Sequence, residues 1–301
     1  MLPIAIMAVL ICAGYALSLA GLRRIAGTFL SKAVFYGFLP IVMFHAFAGS
    51  KVSSDLLAVA AISATYAALA SAAAVAYSRA RRLERRRAAS LLLAAVFQNS
   101  AFLPFPLALA LYGTLTVCAA YSLTIVTIHY ITVGLLAAAY RGGGSFARRA
   151  LAELARIPVI PAGILGLALS ASGASTLIPG AIHEMLGVVS KVGVYLSAVA
   201  VGAGLPRPKE FRRGGLSLDE AYVVLGRHLA SPAVHLSMAL PLSLDDLAFK
   251  QVMLESVMPP ATSNTVVAFV YGFDVDLVAK STIISTVVGL LQALALALLL
   301  G

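Results

Sequence analysis

A chain of 301 residues that is 61% hydrophobic and 11% charged, with a mean hydropathy of +0.97, cannot hide its apolar surface in one aqueous core; soluble domains are nearer half apolar and a quarter charged. Lipid is therefore the expected solvent. The formal net charge of +10 would suggest nucleic acid in a soluble protein, but here the basic residues fall in short clusters between apolar runs, without interleaved aromatics. That pattern fits the positive-inside rule and argues against a nucleic-acid partner.

A spanning helix needs about 20 apolar residues. On that ruler ten segments are expected to span, at 2–21, 28–48, 55–77, 89–112, 115–139, 157–173, 180–203, 222–242, 247–271 and 276–300. No basic stretch precedes the first, which makes it a poor signal peptide and a better helix. Cys12 and Cys118 lie in apolar runs without a motif around them and read as packing residues. The basic clusters are Arg23–Arg24, Arg79–Arg87, Arg141–Arg149 and Arg207–Arg213. They follow the first, third, fifth and seventh segments, so ten spans put them all on one side. That side is expected to be the cytoplasm, with both termini outside the cell membrane. Arg227 in the eighth segment and Lys191 in the seventh are expected to snorkel to a headgroup layer.

The fourth segment contains "FQNSAFLPFPLALALYG" and the ninth "ESVMPPATSNTVVAFVYG". Each carries proline and polar side chains in mid-span, and each ends in Tyr-Gly. Dividing the chain at the basic loop 141–156 gives two five-span units, 1–140 and 157–301, of opposite orientation. The expected fold is thus all-α and integral to the membrane, with ten helices as two inverted repeats and broken, crossed helices four and nine. Matched interruptions of this kind mark the binding site of secondary transporters. Proline frees a backbone carbonyl, which hydrocarbon tolerates only where protein or a wet cavity receives it.

These stretches, with "FLSKAVFYGFLPIVMFHAFA" (29–48), "RIPVIPAGILGLAL" (156–169), "YLSAVAVGAGL" (195–205) and "GRHLASPAVHLSMALP" (226–241), resemble the auxin efflux carrier family along nearly the whole chain. The resemblance implies the fold shared with bile acid sodium symporters and sodium–proton antiporters, in which a panel domain supports a transport domain. It also implies carboxylates as substrates. The chain departs from the family at Ile157-Pro158, where many relatives have Asn-Pro, and at Glu255, an acid just before the ninth-helix break. Acids near that break serve sodium in the bile-acid-type symporters, whereas the plant exporters are thought not to use it. Coupling to sodium, to protons or to neither stays open.

The candidate substrate-binding residues are Asn99, Ser100, Pro104, Pro259, Thr262, Ser263 and Asn264; Glu255, Gln98 and Asn99 are the candidates for binding a coupling cation or proton. An ionised side chain in a span costs roughly 2.5–3.5 kcal/mol on insertion scales, so Glu255 should face a cavity or a partner. His45 and His129 are proton-carrier candidates, with helix packing the duller alternative. "HEMLG" at His183 has Gly187 where a zinc motif needs its second histidine, and "RGGGS" lacks the Lys-Ser/Thr of a phosphate loop. No spacing supports a nucleophile–base pair, so an enzyme is not expected. No cofactor is expected, and no metal beyond sodium at Glu255. The expected partners are a small organic anion and the bilayer, with a homodimer as an open alternative. A ligand sensor on the same fold is the competing function. It is disfavoured because the sequence shows no signalling domain and no long loop on the basic side.

Cysteine substitutions at Ser145 and Ser50 check the topology. Impermeant thiol reagents are expected to reach Ser145→Cys only from the cytoplasm and Ser50→Cys only from outside; the reverse pattern overturns the orientation.

Overall fold

The computed structural model describes residues 2–22, 24–141, 157–205 and 215–300. The clusters Arg207–Arg213 and, beyond Arg141, the linker 141–156 lie outside the described residues. Within them the regular structure is helical, apart from one antiparallel bridge between Gln98 and Pro260. The helices are α1 (Leu2–Leu17), α2 (Leu30–Ala33), α3 (Leu39–Ala48), α4 (Ser54–Ala80), α5 (Arg85–Val96), α6 (Pro104–Tyr112), α7 (Thr116–Arg141), α8 (Val159–Ala171), α9 (Gly180–Gly204), α10 (Leu218–Leu225), α11 (Ser231–Ala239), α12 (Asp246–Ser256), α13 (Thr262–Tyr271) and α14 (Val275–Leu299). Wider π turns run through Ser18–Leu22, Arg24–Phe29, Val34–Phe38 and Gly226–Ala230.

Among the described residues, six helical stretches are long and apolar enough to cross a membrane. Their outward faces carry large apolar side chains, such as Leu57, Val188 and Leu291 at 68%, 63% and 63% exposure, as lipid-facing helices do. The fourth and ninth expected spans are not continuous. Each is a pair of half-helices, α5 with α6 and α12 with α13. The eighth begins earlier than its hydropathy suggests. A capping box, in which Ser217 accepts from the Glu220 N–H and the Glu220 carboxylate accepts from the Ser217 N–H, starts α10 at Leu218.

Two groups of helices emerge from the packing. In one, α9 lies along α1 and α3, and α3 lies along α8. In the other, α4 packs on α5 and α7, α14 on α5, α10 and α13, and α12 on α7 and α11. Small residues let α1 and α9 approach backbone to backbone. A Cβ at Gly202 would fall on the Ile11 carbonyl, and one at Gly14 on the Val199 carbonyl. Without a hydrophobic force between helices in lipid, close van der Waals contact of this sort drives association.

At one face of the molecule Arg87, at the start of α5, donates to Asp219 at 2.5 Å, to Asp274 at 2.6 Å and to the Ser217 hydroxyl at 3.2 Å. Tyr77 donates to Asp219 at 2.9 Å, and Lys280 stands 3.8 Å from Glu220. The ends of α4, α5, α10 and α14 therefore share this face with the Arg79–Arg87 cluster; it is called the basic face below. At the opposite face Thr116 donates to the Ala46 carbonyl at 3.2 Å and Ser170 donates to the Ser50 carbonyl.

Gly202→Ala is expected to lose about 1–3 kcal/mol through overpacking against Ile11, read as a lower melting temperature in detergent. Gly37→Ala, with open space around it, is expected to leave the melting temperature unchanged. Equal tolerance of both substitutions contradicts backbone contact between α1 and α9.

Candidate functional site

Proline placement explains how the two broken spans end and restart. Pro104 opens α6 as its first residue, where its missing N–H costs nothing. Pro259 and Pro260 lie in the extended turn between α12 and α13. Residues 97–103 and 257–261 are thereby left outside α-helix, and they lie against one another. The Asn99 N–H donates to the Pro259 carbonyl at 2.8 Å, and the Ala261 N–H to the Phe97 carbonyl at 3.0 Å.

Side chains complete the exchange. The Asn264 amide, on α13, donates to the Leu93 and Phe97 carbonyls at 3.0 and 2.8 Å, satisfying the C-terminal end of α5. Gln98, in the first break, donates to the Glu255 carbonyl at 3.3 Å, at the C-terminal end of α12. Each interruption is capped by an amide from the other. A third clamp comes from Arg227, in the π turn after α10. It is completely buried, against the expectation that it snorkels. Its Nε and Nη2 donate to the Met258 carbonyl at 3.1 and 2.8 Å, and Nη1 donates to the Tyr66 hydroxyl at 2.5 Å and the Gln98 side-chain oxygen at 3.1 Å. A guanidinium offers five donors in a rigid fork, so one residue can serve a carbonyl, a phenol and an amide together. The wide turn at 226–230 re-aims the side chain inward; π turns of this kind cluster at functional sites.

Around the clamp stand aromatic and imidazole groups. The Tyr66 and His235 rings lie 4.6 Å apart, and His235 Nε2 and the Tyr121 hydroxyl are 2.8 Å apart. The Ser231 hydroxyl donates to the Ser256 carbonyl at 2.8 Å. Close approach of α14 is allowed by Gly289, where a Cβ would stand 2.7 Å from the Val257 carbonyl and 3.4 Å from Pro259 Cδ.

Glu255 is the exception to this satisfaction. It is fully buried, and neither carboxyl oxygen has a hydrogen-bond partner. The Gln98 amide, the Cys118 thiol and the charge of Arg227 act on it, but no donor stands in hydrogen-bonding geometry. A buried carboxyl without a donor costs several kcal/mol if ionised, so the position suits a bound cation or a proton.

The expected site residues therefore gather in one place, with distinct surroundings. Asn99 lends a side-chain oxygen to the Leu103 N–H at 3.3 Å, and Ser100 and Ser122 hydroxyls meet at 3.1 Å. Thr262 is half-buried and Ser263 exposed in the first turn of α13, while both amide hydrogens of Asn264 are engaged as caps. Of the two histidines singled out from sequence, His129 is buried, stacked 4.5 Å from Phe97, with Nε2 unpartnered; His45 lies elsewhere, beside His183. Sequence reasoning missed Arg227, Tyr66, Tyr121 and His235. One signal was available: Arg227 stands inside an apolar segment and apart from every basic cluster.

Comparisons with known proteins bear on this arrangement. A family model described as membrane transport protein matches the chain over residues 1–147 and again over 144–296. The chain is 30% identical to an uncharacterised transporter of Methanothermobacter thermautotrophicus, across 94% of this chain and 93% of that protein. It is 26% identical to an uncharacterised transporter of Methanocaldococcus jannaschii, across 70% of this chain and 68% of that one.

Removing the clamp and removing the carboxyl should have opposite effects. Arg227→Met strands the Met258 carbonyl and the Gln98 side-chain oxygen, an expected loss of about 1–3 kcal/mol for each buried group left unpaired. Glu255→Gln removes a group that has no donor, and is expected to hold or raise the melting temperature. Equal losses from the two variants would place Glu255 within the clamp.

Proposed function

The chain belongs to the membrane transport protein family, the family of the auxin efflux carriers, and from that premise we propose that it is a secondary carrier moving a small organic anion, a carboxylate, across the cell membrane by elevator-like alternating access. In this reading ten spans form two inverted five-helix repeats, 1–140 and 157–301. The basic face is cytoplasmic and both termini lie outside.

The observation that carries the proposal is the reciprocal capping of the two breaks beside an unpartnered buried acid. Two half-helices, α6 and α13, begin at the breaks, and two, α5 and α12, end there. N-terminal ends of helices attract anions and C-terminal ends attract cations. The start of α13, with Thr262 and Ser263, is then the proposed anion side, shared with Asn99 and Ser100. The end of α12, with Glu255 and Gln98, is the coupling side. Asn264, Pro104 and Pro259 shape the site: the prolines hold the turn open, and Asn264 caps α5. Alternating access is supported by the division into two packing groups. The group of α1, α3, α8 and α9 serves as the panel against which the broken helices move.

Sodium and protons make different demands on Glu255. Carbonyl oxygens at a helix end plus one carboxylate suit a hard cation, whereas a proton needs only a carboxyl that burial keeps neutral.

Uptake of labelled mono- and dicarboxylates into proteoliposomes, measured against sodium and pH, tests the carrier and its coupling. Sodium coupling predicts uptake driven by a sodium gradient in the parent and lost in Glu255→Gln. Proton coupling predicts pH-driven uptake in the parent and a pH-insensitive variant. A Glu255→Gln protein matching the parent under every condition removes the coupling role, and absence of uptake of any carboxylate removes the carrier reading.

A further inference from the structure

A cavity of about 220 Å³ opens between the two helix groups, away from the breaks. Its walls come from α3, from α9 and from the turn joining α6 to α7, at the face opposite the basic one. His45 of α3 and His183 of α9 face each other there with ring centroids 4.7 Å apart. Glycines seat the rings: a Cβ at Gly49 would stand 3.1 Å from His183 Cε1, and one at Gly187 3.4 Å from His45 Nε2. His183, Gly187 and Lys191 succeed one another at four-residue spacing, so they form one stripe along α9. The Ser190 hydroxyl, buried beside this stripe, has no hydrogen-bond partner.

Depth distinguishes Lys191 from an ordinary headgroup lysine. It stands eleven residues into α9, about 16 Å along the helix at 1.5 Å per residue, and the hydrocarbon layer is about 30 Å thick. A lysine at that depth needs a wet cavity or an anionic partner, and it lines this cavity. No acidic side chain lines the walls. Lys191 is exposed, as are Glu184 on α9 and Lys51 after α3, which do not line the cavity; α8 contributes the Ser170 hydroxyl to the Ser50 carbonyl, and α7 the Thr116 hydroxyl to the Ala46 carbonyl. A lysine and two imidazoles thus converge on a space walled by backbone, hydroxyl and apolar groups.

We infer that this cavity is a loading site for the carboxylate, in which Lys191 holds the anion and the His45 and His183 rings and the Ser190 hydroxyl offer it hydrogen bonds. The inference rests on the carrier reading for the identity of the anion, but not for the electrostatics. Two imidazole rings tilted against each other at 4.7 Å and an ammonium offer N–H donors and a positive charge to the same cavity. Because the walls belong to both helix groups, a bound anion also bridges the panel and the moving unit.

The test is the reaction of a Ser190→Cys variant, in a Cys12→Ala background, with a negatively charged sulfonate-bearing methanethiosulfonate and a positively charged trimethylammonium one. Cys118 is fully buried and supplies the unlabelled control. The ratio of the two rates cancels the thiolate fraction and reads the local potential. The ratio is expected to favour the sulfonate reagent and to fall about tenfold with Lys191→Met. Succinate is expected to slow labelling in the Lys191 protein and not in Lys191→Met. No reaction with either reagent, or a ratio indifferent to Lys191→Met, overturns the site. If succinate or benzoate raises the melting temperature yet never protects the cysteine, the loading site alone is overturned and the carrier stands. If the potential is as expected but no carboxylate protects or stabilises, the carboxylate assignment falls together with the carrier reading.

Discussion

A broken helix inside a bilayer exposes backbone groups that lipid cannot satisfy, and everything near the breaks answers that constraint. Each unsatisfied N–H or carbonyl in hydrocarbon costs several kcal/mol. Here the two interruptions answer one another, through the Asn99 and Ala261 backbone bonds, through Gln98 on the Glu255 carbonyl, and through Asn264 on the Leu93 and Phe97 carbonyls. Neither break is stable without its counterpart, so the two must lie together in every state that keeps these bonds. The half-helices leading from the unit they form bring four dipole ends to one place.

Charge enters this unit with a purpose that packing alone does not require. Arg227 spends four of its hydrogen bonds on Met258, Tyr66 and Gln98, which accounts for its burial as a clamp. Glu255 has no such account. Its oxygens face Gln98, Cys118 and the field of Arg227 without a hydrogen bond. A fold under selection for stability alone would replace that carboxyl by an amide or an alkyl group, since a buried ionised pair gains little over a well-packed apolar one. That unpartnered acid is the feature on which the proposed coupling role rests.

Much of the fold was legible because lipid makes hydropathy a direct ruler. The ends expected for the third, fifth, seventh and tenth spans fall within a few residues of α4, α7, α9 and α14. The breaks were legible because proline cannot donate an N–H, and polar residues beside it announce where carbonyls must be received. Gln98, Asn99, Ser100, Glu255 and Asn264 were accordingly found together. The same ruler failed at Arg227, because a long basic side chain near a span end reads as snorkelling unless the π turn that turns it inward is known. It also could not tell that Asn264 faces α5 carbonyls, since a cap and a ligand donor look alike in sequence. The pairing of His45 with His183 was invisible for another reason: the two residues are 138 positions apart, and only the packing of α3 against α9 joins them.

The mutual capping of the breaks is open to a double-mutant cycle. Thermal or denaturant unfolding in one detergent would be compared for the parent, Gln98→Ala, Asn264→Ala and the double variant. Residues in one hydrogen-bond network show coupling energies of about 0.5–3 kcal/mol. If the two breaks form one unit, the double variant loses less than the sum of the singles by an amount in that range, because either single already loosens the shared turn. Losses that add within about 0.3 kcal/mol would mean that the breaks are capped independently, and would contradict the account built on their exchange.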